Sequence, residues 1–178
     1  MSITGRNGSG KSTLIKILAS ILSQTSGDFS ILVNDKKIEK REYYKYIGFV
    51  SPYLNLYDEF TGFENLNFVT KVRKINPDRI ETVLKTVGLW ERRHDDVKVY
   101  SSGMKQRLKI AFSIIHQPPI LLFDEPTSNL DTEGIKIIEN ISAGQKKEGV
   151  LIIATNDEHE KSLCEKELNI VASGGGKK

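Results

Sequence analysis

The sequence has a single cysteine, Cys164, so no intrachain disulfide is possible and stability has to come from a packed core. Cys164 itself reads as a small core residue. No apolar run approaches the ~18 residues that a membrane-spanning helix needs. The first residues carry no signal-peptide pattern. Charge of one sign is also scarce: 26 basic against 23 acidic residues leave a net charge of +3. The Lys and Arg residues are spread along the chain, so no nucleic acid is expected as a partner. His94, His116 and His159 form no ligand-spaced cluster, and none reads as a metal ligand. There is no internal repeat. What remains is a globular composition, 38% hydrophobic and 28% charged over 178 residues, which is enough for one domain with a real core. The tail Gly174-Gly175-Gly176-Lys177-Lys178 is expected to fray.

The informative stretch is Gly5-Arg6-Asn7-Gly8-Ser9-Gly10-Lys11-Ser12-Thr13. Gly5, Gly10, Lys11 and Ser12 fit the phosphate-loop pattern G-x-x-x-x-G-K-[ST]. Glycines let such a loop curl so that backbone N–H groups converge on a polyphosphate, with no Cβ in the way. The next helix adds its free N–H groups and the positive end of its dipole. In this pattern Lys11 reaches the β- and γ-phosphates, and the Ser12 hydroxyl ligates Mg²⁺. The plain alternative is a glycine-rich turn before a helix. Context favours the functional reading, because Met1-Ser2-Ile3-Thr4 reads as a strand end. Leu14, Ile17, Leu18, Ile21 and Leu22 follow at helical spacing.

Further along, Ser26-Gly27-Asp28 reads as a turn and Phe29 to Val33 as a strand ended by Asn34-Asp35. Glu42 to Tyr46 reads as a short helix, and Ile47-Gly48-Phe49-Val50 as a buried strand. Glu64 to Arg73 has Leu66, Val69 and Val72 on one side. Pro77 restarts the chain, and Ile80, Val83, Leu84 and Val87 mark another amphipathic helix that Gly88 ends. After Tyr100-Ser101-Ser102-Gly103-Met104-Lys105-Gln106-Arg107, a helix carries Leu108, Ala111, Phe112 and Ile115 on one face, closed by Pro118-Pro119. Ile120-Leu121-Leu122-Phe123 is a continuous apolar run followed by Asp124 and Glu125, which predicts a buried parallel strand with acids at its carboxyl end. Thr132 to Ala143 reads as a helix with Ile135, Ile138 and Ile141 inward. Val150 to Ala154 reads as a last buried strand, ending in Thr155-Asn156-Asp157. This alternation predicts an α/β fold: a P-loop NTPase core with a mainly parallel sheet flanked by helices. Core segments are 1–51 and 103–178, with a small helical subdomain inserted at about 52–102.

At these residues the chain resembles the ATP-binding-cassette ATPases, specifically the nucleotide-binding subunits of transporters, over essentially its whole length as one domain. Gly5 to Thr13 look like the family's Walker A loop. Ile120 to Glu125 look like Walker B with its catalytic glutamate, Ser128-Asn129-Leu130-Asp131 like the D-loop, and Tyr100 to Met104 like the signature motif. The resemblance implies ATP and Mg²⁺ as cofactors. Asp124 then holds Mg²⁺ and Glu125 polarises the attacking water. It also implies a head-to-tail homodimer or pseudo-dimer, in which Ser101 and Gly103 of one subunit cover ATP on the other. A separate transmembrane permease is the implied partner. Phe60 to Leu89 would dock on it, keeping the protein cytoplasmic and peripheral on the inner face of the membrane. Tyr53, Tyr57, Phe60 and Phe63 are candidate anchors, or pack within the subdomain.

The chain also departs from that pattern. The family has a further stretch before the phosphate loop, including an aromatic that stacks on adenine, so the resemblance implies an N-terminally truncated chain. In the signature, Ser102 stands for a glycine and Met104 for a glutamine. The glutamine expected after the second core strand aligns with Pro52, and the histidine expected near the γ-phosphate aligns with Asn156. An ATP-binding switch with weak turnover is therefore an alternative to full ATP hydrolysis. A non-transport member of the family is another, disfavoured because the segment from Lys11 to Asp124 leaves no room for a long coiled-coil insertion.

Overall fold

Five short strands, three of them continuous apolar runs, build one sheet, and all of them run parallel. The computed structural model describes residues 1–171, so the Gly174–Lys178 tail lies outside the described residues. In chain order the strands are β1 (Ser2–Thr4), β2 (Leu32–Val33), β3 (Lys36–Lys37), β4 (Ile47–Val50), β5 (Ile120–Asp124), β6 (Val150–Ala154) and β7 (Glu167–Asn169). The helices are α1 (Lys11–Leu18), α2 (Gly62–Arg73), α3 (Arg79–Thr86), α4 (Ser102–Ile114), α5 (Thr132–Glu148) and α6 (Glu158–Ser162). The large sheet has the order β4-β5-β6-β1-β7, and β2 pairs with β3 in a separate antiparallel hairpin. The expected α/β architecture is what forms.

Side chains alternate across a strand, so β5 serves two cores. Leu121 and Phe123 point into one cluster with Val50, Leu66, Leu84, Leu108, Ile138 and Ile153. Leu122 points into the other with Ile3, Ile15, Ile47 and Ala154. The same alternation puts Asp124 on the face of Leu122, which is the face that α1 covers. Between β4 and β5 the chain is helical. α2 opens with a reciprocal cap: Glu64 N–H donates to Thr61 Oγ1 at 3.1 Å, and Thr61 N–H donates to Glu64 Oε2 at 2.8 Å.

Several elements differ from the sequence expectation. α1 stops at Leu18 because Ser20 turns left-handed (φ 58°), and this leaves Ile21 and Leu22 exposed. The expected Phe29–Val33 strand shrinks to β2. Asn34 and Asp35 end it as expected, and both adopt positive φ (49° and 62°), the geometry of a two-residue hairpin turn that leads on into β3. The short helix expected over Glu42–Tyr46 is a 3₁₀ segment over Lys40–Lys45. α5 runs past Ala143 to Glu148; its last turn is polar, so no apolar periodicity marked the extension. Val72, expected on the inner side of α2, is exposed, and Phe112 is only partly buried. α6 and β7 were not anticipated: both are short, and β7 is exposed at every residue.

His116 sits where α4 leads into β5, with Nε2 3.0 Å from the Ile47 carbonyl and Nδ1 buried without a partner among the described residues. Burial first, then the Arg73 charge, lowers its pKa to about 4, with Arg79 adding and the Ile47 hydrogen bond opposing. The unfolded chain then binds a proton near pH 6.5 that the folded chain refuses. This contribution to stability is complete above about pH 6.5 and is lost as pH falls toward 4. At ~1.4 kcal/mol per pKa unit, discounted for partial exposure, it amounts to roughly 2 kcal/mol. Urea unfolding at pH 7 and pH 4.5 checks this. His116→Gln, which keeps a donor for Ile47 but does not titrate, should lose most of the difference between the two midpoints. An unchanged difference would assign the acid sensitivity to other groups.

Candidate functional site

The phosphate-loop pattern forms a loop between β1 and α1. Gly8 and Gly10 have φ of 79° and 103°, and a Cβ built on either meets nothing within 4 Å. Glycine is needed at these two positions for backbone conformation, not for room. Gly5 is different, because a Cβ there would press on the Ile170 carbonyl and come within 2.7 Å of Ser9 Oγ. Gly10 caps α1 without any side-chain hydrogen bond, and no acid lies in the first turn. The first N–H groups of the helix therefore have no intrahelical partner and no side-chain cap. Lys11 is buried, and its ammonium donates to Gly5 O at 2.8 Å and Arg6 O at 3.4 Å. Together these features make a concentrated anion-binding cradle.

Asp124 ends β5 buried, and the Ser12 hydroxyl donates to its Oδ1 at 3.0 Å. Burial pushes the Asp124 carboxyl above its ordinary range. The Ser12 hydrogen bond pulls it back, Glu125 raises it further, and Lys16 and Lys11 oppose. Two hard oxygens side by side, one of them a buried carboxylate, fit a Mg²⁺ ion. Glu125 is exposed and has a left-handed backbone (φ 49°), which breaks strand alternation after Asp124 and turns its side chain toward the loop. It lines one cleft of about 320 Å³ with Asn7, Gly8, Gly10, Lys11, Ser12 and Thr13. Asn156, just past β6, donates from Nδ2 to Asn7 Oδ1 at 3.0 Å. The sequence candidates Gly5 to Thr13, Asp124, Glu125 and Asn156 are thus brought to one end of the sheet, outside the carboxyl ends of β1, β5 and β6.

Ser101 and Gly103 do not line that cleft. Ser101 is the N-cap of α4, accepting from Met104 N–H at 3.2 Å, and it is exposed. Gly103 lies against the Asn129 carbonyl, 3.0 Å from where a Cβ would sit. Burial raises the pKa of the preceding Tyr100 phenol to about 12, with the Asp95 charge adding, and its hydroxyl donates to Arg92 O at 2.6 Å. Pro52 accepts from Lys109 Nζ at 2.7 Å, and the next residue, Tyr53, lies under the Lys16 ammonium of α1 at 4.7 Å.

Sequence reasoning missed two buried polar residues beside the cleft. Gln106 of α4 donates from Nε2 to Pro126 O at 3.0 Å. Glu160 of α6 accepts from Thr127 N–H at 2.7 Å and from Thr127 Oγ1 at 2.5 Å. The only sequence signal for Glu160 was its position three residues after Asp157, a spacing that reads as helix capping.

Comparisons with known proteins agree with one another. The sequence model of the ABC transporter family matches residues 1–128. An uncharacterised ABC transporter ATP-binding protein of Bacillus subtilis, YdbJ, is 41% identical over 137 residues, covering 76% of this chain and 44% of that protein. The lantibiotic transport ATP-binding protein SrtF of Streptococcus pyogenes is 37% identical over 155 residues, covering 87% of this chain and 66% of that protein. The bacitracin transport ATP-binding protein BcrA of Enterococcus faecalis is 34% identical over 139 residues, covering 78% and 45%. The chain thus spans roughly half to two thirds of the length of the curated relatives it matches. Among solved structures, a dimeric ATP-binding cassette in a post-hydrolysis state with ADP and Pi aligns with a TM-score of 0.80 at 28% identity, over 95% of this chain and 79% of that one.

Proposed function

The chain belongs to the ABC transporter family, and we propose that it binds and hydrolyses ATP in a head-to-tail dimer to drive transport through a separate membrane subunit. The observation that carries this is the 3.0 Å contact of Ser12 with Asp124, made in a cleft that Glu125 also lines. Relatives named for lantibiotic and bacitracin transport support transport as the use of the energy. Among the described residues no helix is long and apolar enough to cross a membrane, which fits a permease on another chain.

In this reading the loop N–H groups and Lys11 bind the β- and γ-phosphates. Mg²⁺ held by Ser12 and Asp124, partly through water, would neutralise phosphate charge as the terminal bond breaks. The Glu125 carboxylate accepts the proton of the attacking water, and the Asn156 amide donates to the transferring phosphoryl group. Ser101 and Gly103 stand apart from the cleft of their own chain and serve the cleft of a second copy, so the dimer completes the site. Residues 1–51 and the described part of 103–178 form the nucleotide-binding core, and about 52–102 the helical unit that meets the permease. Tyr53 and Tyr57 are 74% and 52% exposed, as docking residues need to be. Tyr57 also packs on Phe60 and Phe68, with ring centres 5.3 and 5.5 Å apart, so the patch is partly self-supporting. The protein then works in the cytoplasm, against the inner face of the membrane.

Lys11→Ala should weaken Mg-ATP binding about tenfold to a hundredfold, the loss of a charge-assisted contact of roughly 1.5–3 kcal/mol. Calorimetry showing equal affinities would sink the binding assignment. Glu125→Gln keeps the shape but removes the base, so an ATP-bound dimer should persist and be visible by light scattering with Mg-ATP. A strictly monomeric variant at high protein concentration would count against the paired site.

The Asn156–Asn7 hydrogen bond favours a second reading, a switch with slow turnover, since an amide at this place never carries charge. Asn156→His should raise kcat and leave the Kd for ATP similar, the pattern of an interaction made mainly in the transition state. It should also add a titration to the rate profile near pH ~6.5. Unchanged or lower turnover would mean that Asn156 already performs the role.

A further inference from the structure

Glu125 pays for its position with backbone strain. A non-glycine residue at φ 49° is held there only where its surroundings over-determine it. On the N-terminal side, Glu125 N–H donates to Ala154 O at 3.0 Å, which extends the β5–β6 ladder. On the C-terminal side, Ser128 Oγ and Ser128 N–H both donate to Glu125 O, at 2.8 and 3.2 Å. Between these anchors lie Pro126 and Thr127, which are held by Gln106 from α4 and Glu160 from α6.

Glu160 is the unusual member. It is 1% exposed, and its Oε1 takes both Thr127 donors while its Oε2 is buried with no partner among the described residues. A half-satisfied buried carboxylate is a poor way to stabilise a core. Its position gives another reason for it to be there. Asp157, next to Asn156, caps α6 by accepting from Glu160 N–H at 3.0 Å. Only the first turn of α6 separates the residue that touches the phosphate loop from the one that holds the Glu125 turn.

Resting on the proposed ATPase reading, we infer that Glu160 is a positioning residue. Through Thr127 it fixes the left-handed turn that aims Glu125, and it ties that turn to the Asn156 segment. What matters is an acceptor oxygen at Thr127, not the charge. Glu160→Gln keeps an oxygen there, and Glu160→Ala removes it.

The test measures steady-state turnover and Mg-ATP affinity in the full chain for wild type, Glu160→Ala and Glu160→Gln, each with and without Glu125→Gln. Glu160→Ala should lower kcat about tenfold to a hundredfold, part of the ~10²–10⁴ that a placed general base supplies. The ATP Kd should move less than about threefold, since only transition-state interactions are lost. Glu160→Gln should retain most turnover. In the Glu125→Gln background, Glu160→Ala should change the residual rate by less than about twofold, because residues acting as one unit are non-additive. A merely structural role would lower the rate alike in both backgrounds and would overturn the inference. So would full turnover in Glu160→Ala. If wild type itself fails to hydrolyse ATP, the proposed function falls and takes this inference with it; active wild type with an unaffected Glu160→Ala sinks the inference alone.

Discussion

The Ser12 hydroxyl donating to Asp124 at 3.0 Å joins residues 112 positions apart, and much of the structure serves to bring them together. Ser12 is where it is because Gly10 turns left-handed and starts α1 directly after the loop that follows β1. Asp124 is where it is because β5 lies one strand from β1, with β6 between them, and the register sets both Asp124 and Ile3 opposite Ala154. A one-residue slip in that register would send Asp124 to the opposite face, away from α1. The two apolar clusters on the sheet faces fix the register, since the same slip would invert every buried side chain of β5.

A second constraint is the left-handed backbone of Glu125. Strand alternation alone would carry the residue after Asp124 to the face of the larger core. The turn instead holds it at the carboxyl end of the sheet, facing Gly8, Gly10 and Lys11. Bonds from α4 and α6 meet at the following two residues. The geometry of the cleft and the packing of the helical layer are therefore not independent. Gly103, against the Asn129 carbonyl, extends this linkage from the start of α4 to the segment that leads into α5.

Periodicity found the elements that bury a continuous face. β4, β5 and β6 carry continuous, mostly buried apolar runs, so those runs match the observed bounds to within a residue. It failed where burial does not write a pattern. Among the described residues β7 pairs only with β1, and it is exposed, so its residues carry no apolar signature. The polar end of α5 is helical because it continues an established helix and is closed by Gln145 on the Pro118 and Pro119 carbonyls. Ile21 and Leu22 kept helical spacing but lost the helix to one left-handed serine.

By itself the sequence determined the phosphate-loop motif, the acids at the end of a buried strand and the parallel α/β class. Each depends on residue type at short range: glycine where positive φ is needed, apolar runs where a strand is covered on both faces. Only the tertiary structure decided which distant residues meet. It set Asn156 on Asn7, kept Ser101 and Gly103 out of the cleft of their own chain, and enlisted Gln106 and Glu160 to hold the Glu125 turn. The reason is physical. A buried polar contact is specified by where two elements cross, and side chains that look like ordinary helix surface or helix caps in one dimension become partners only when packing removes water from between them.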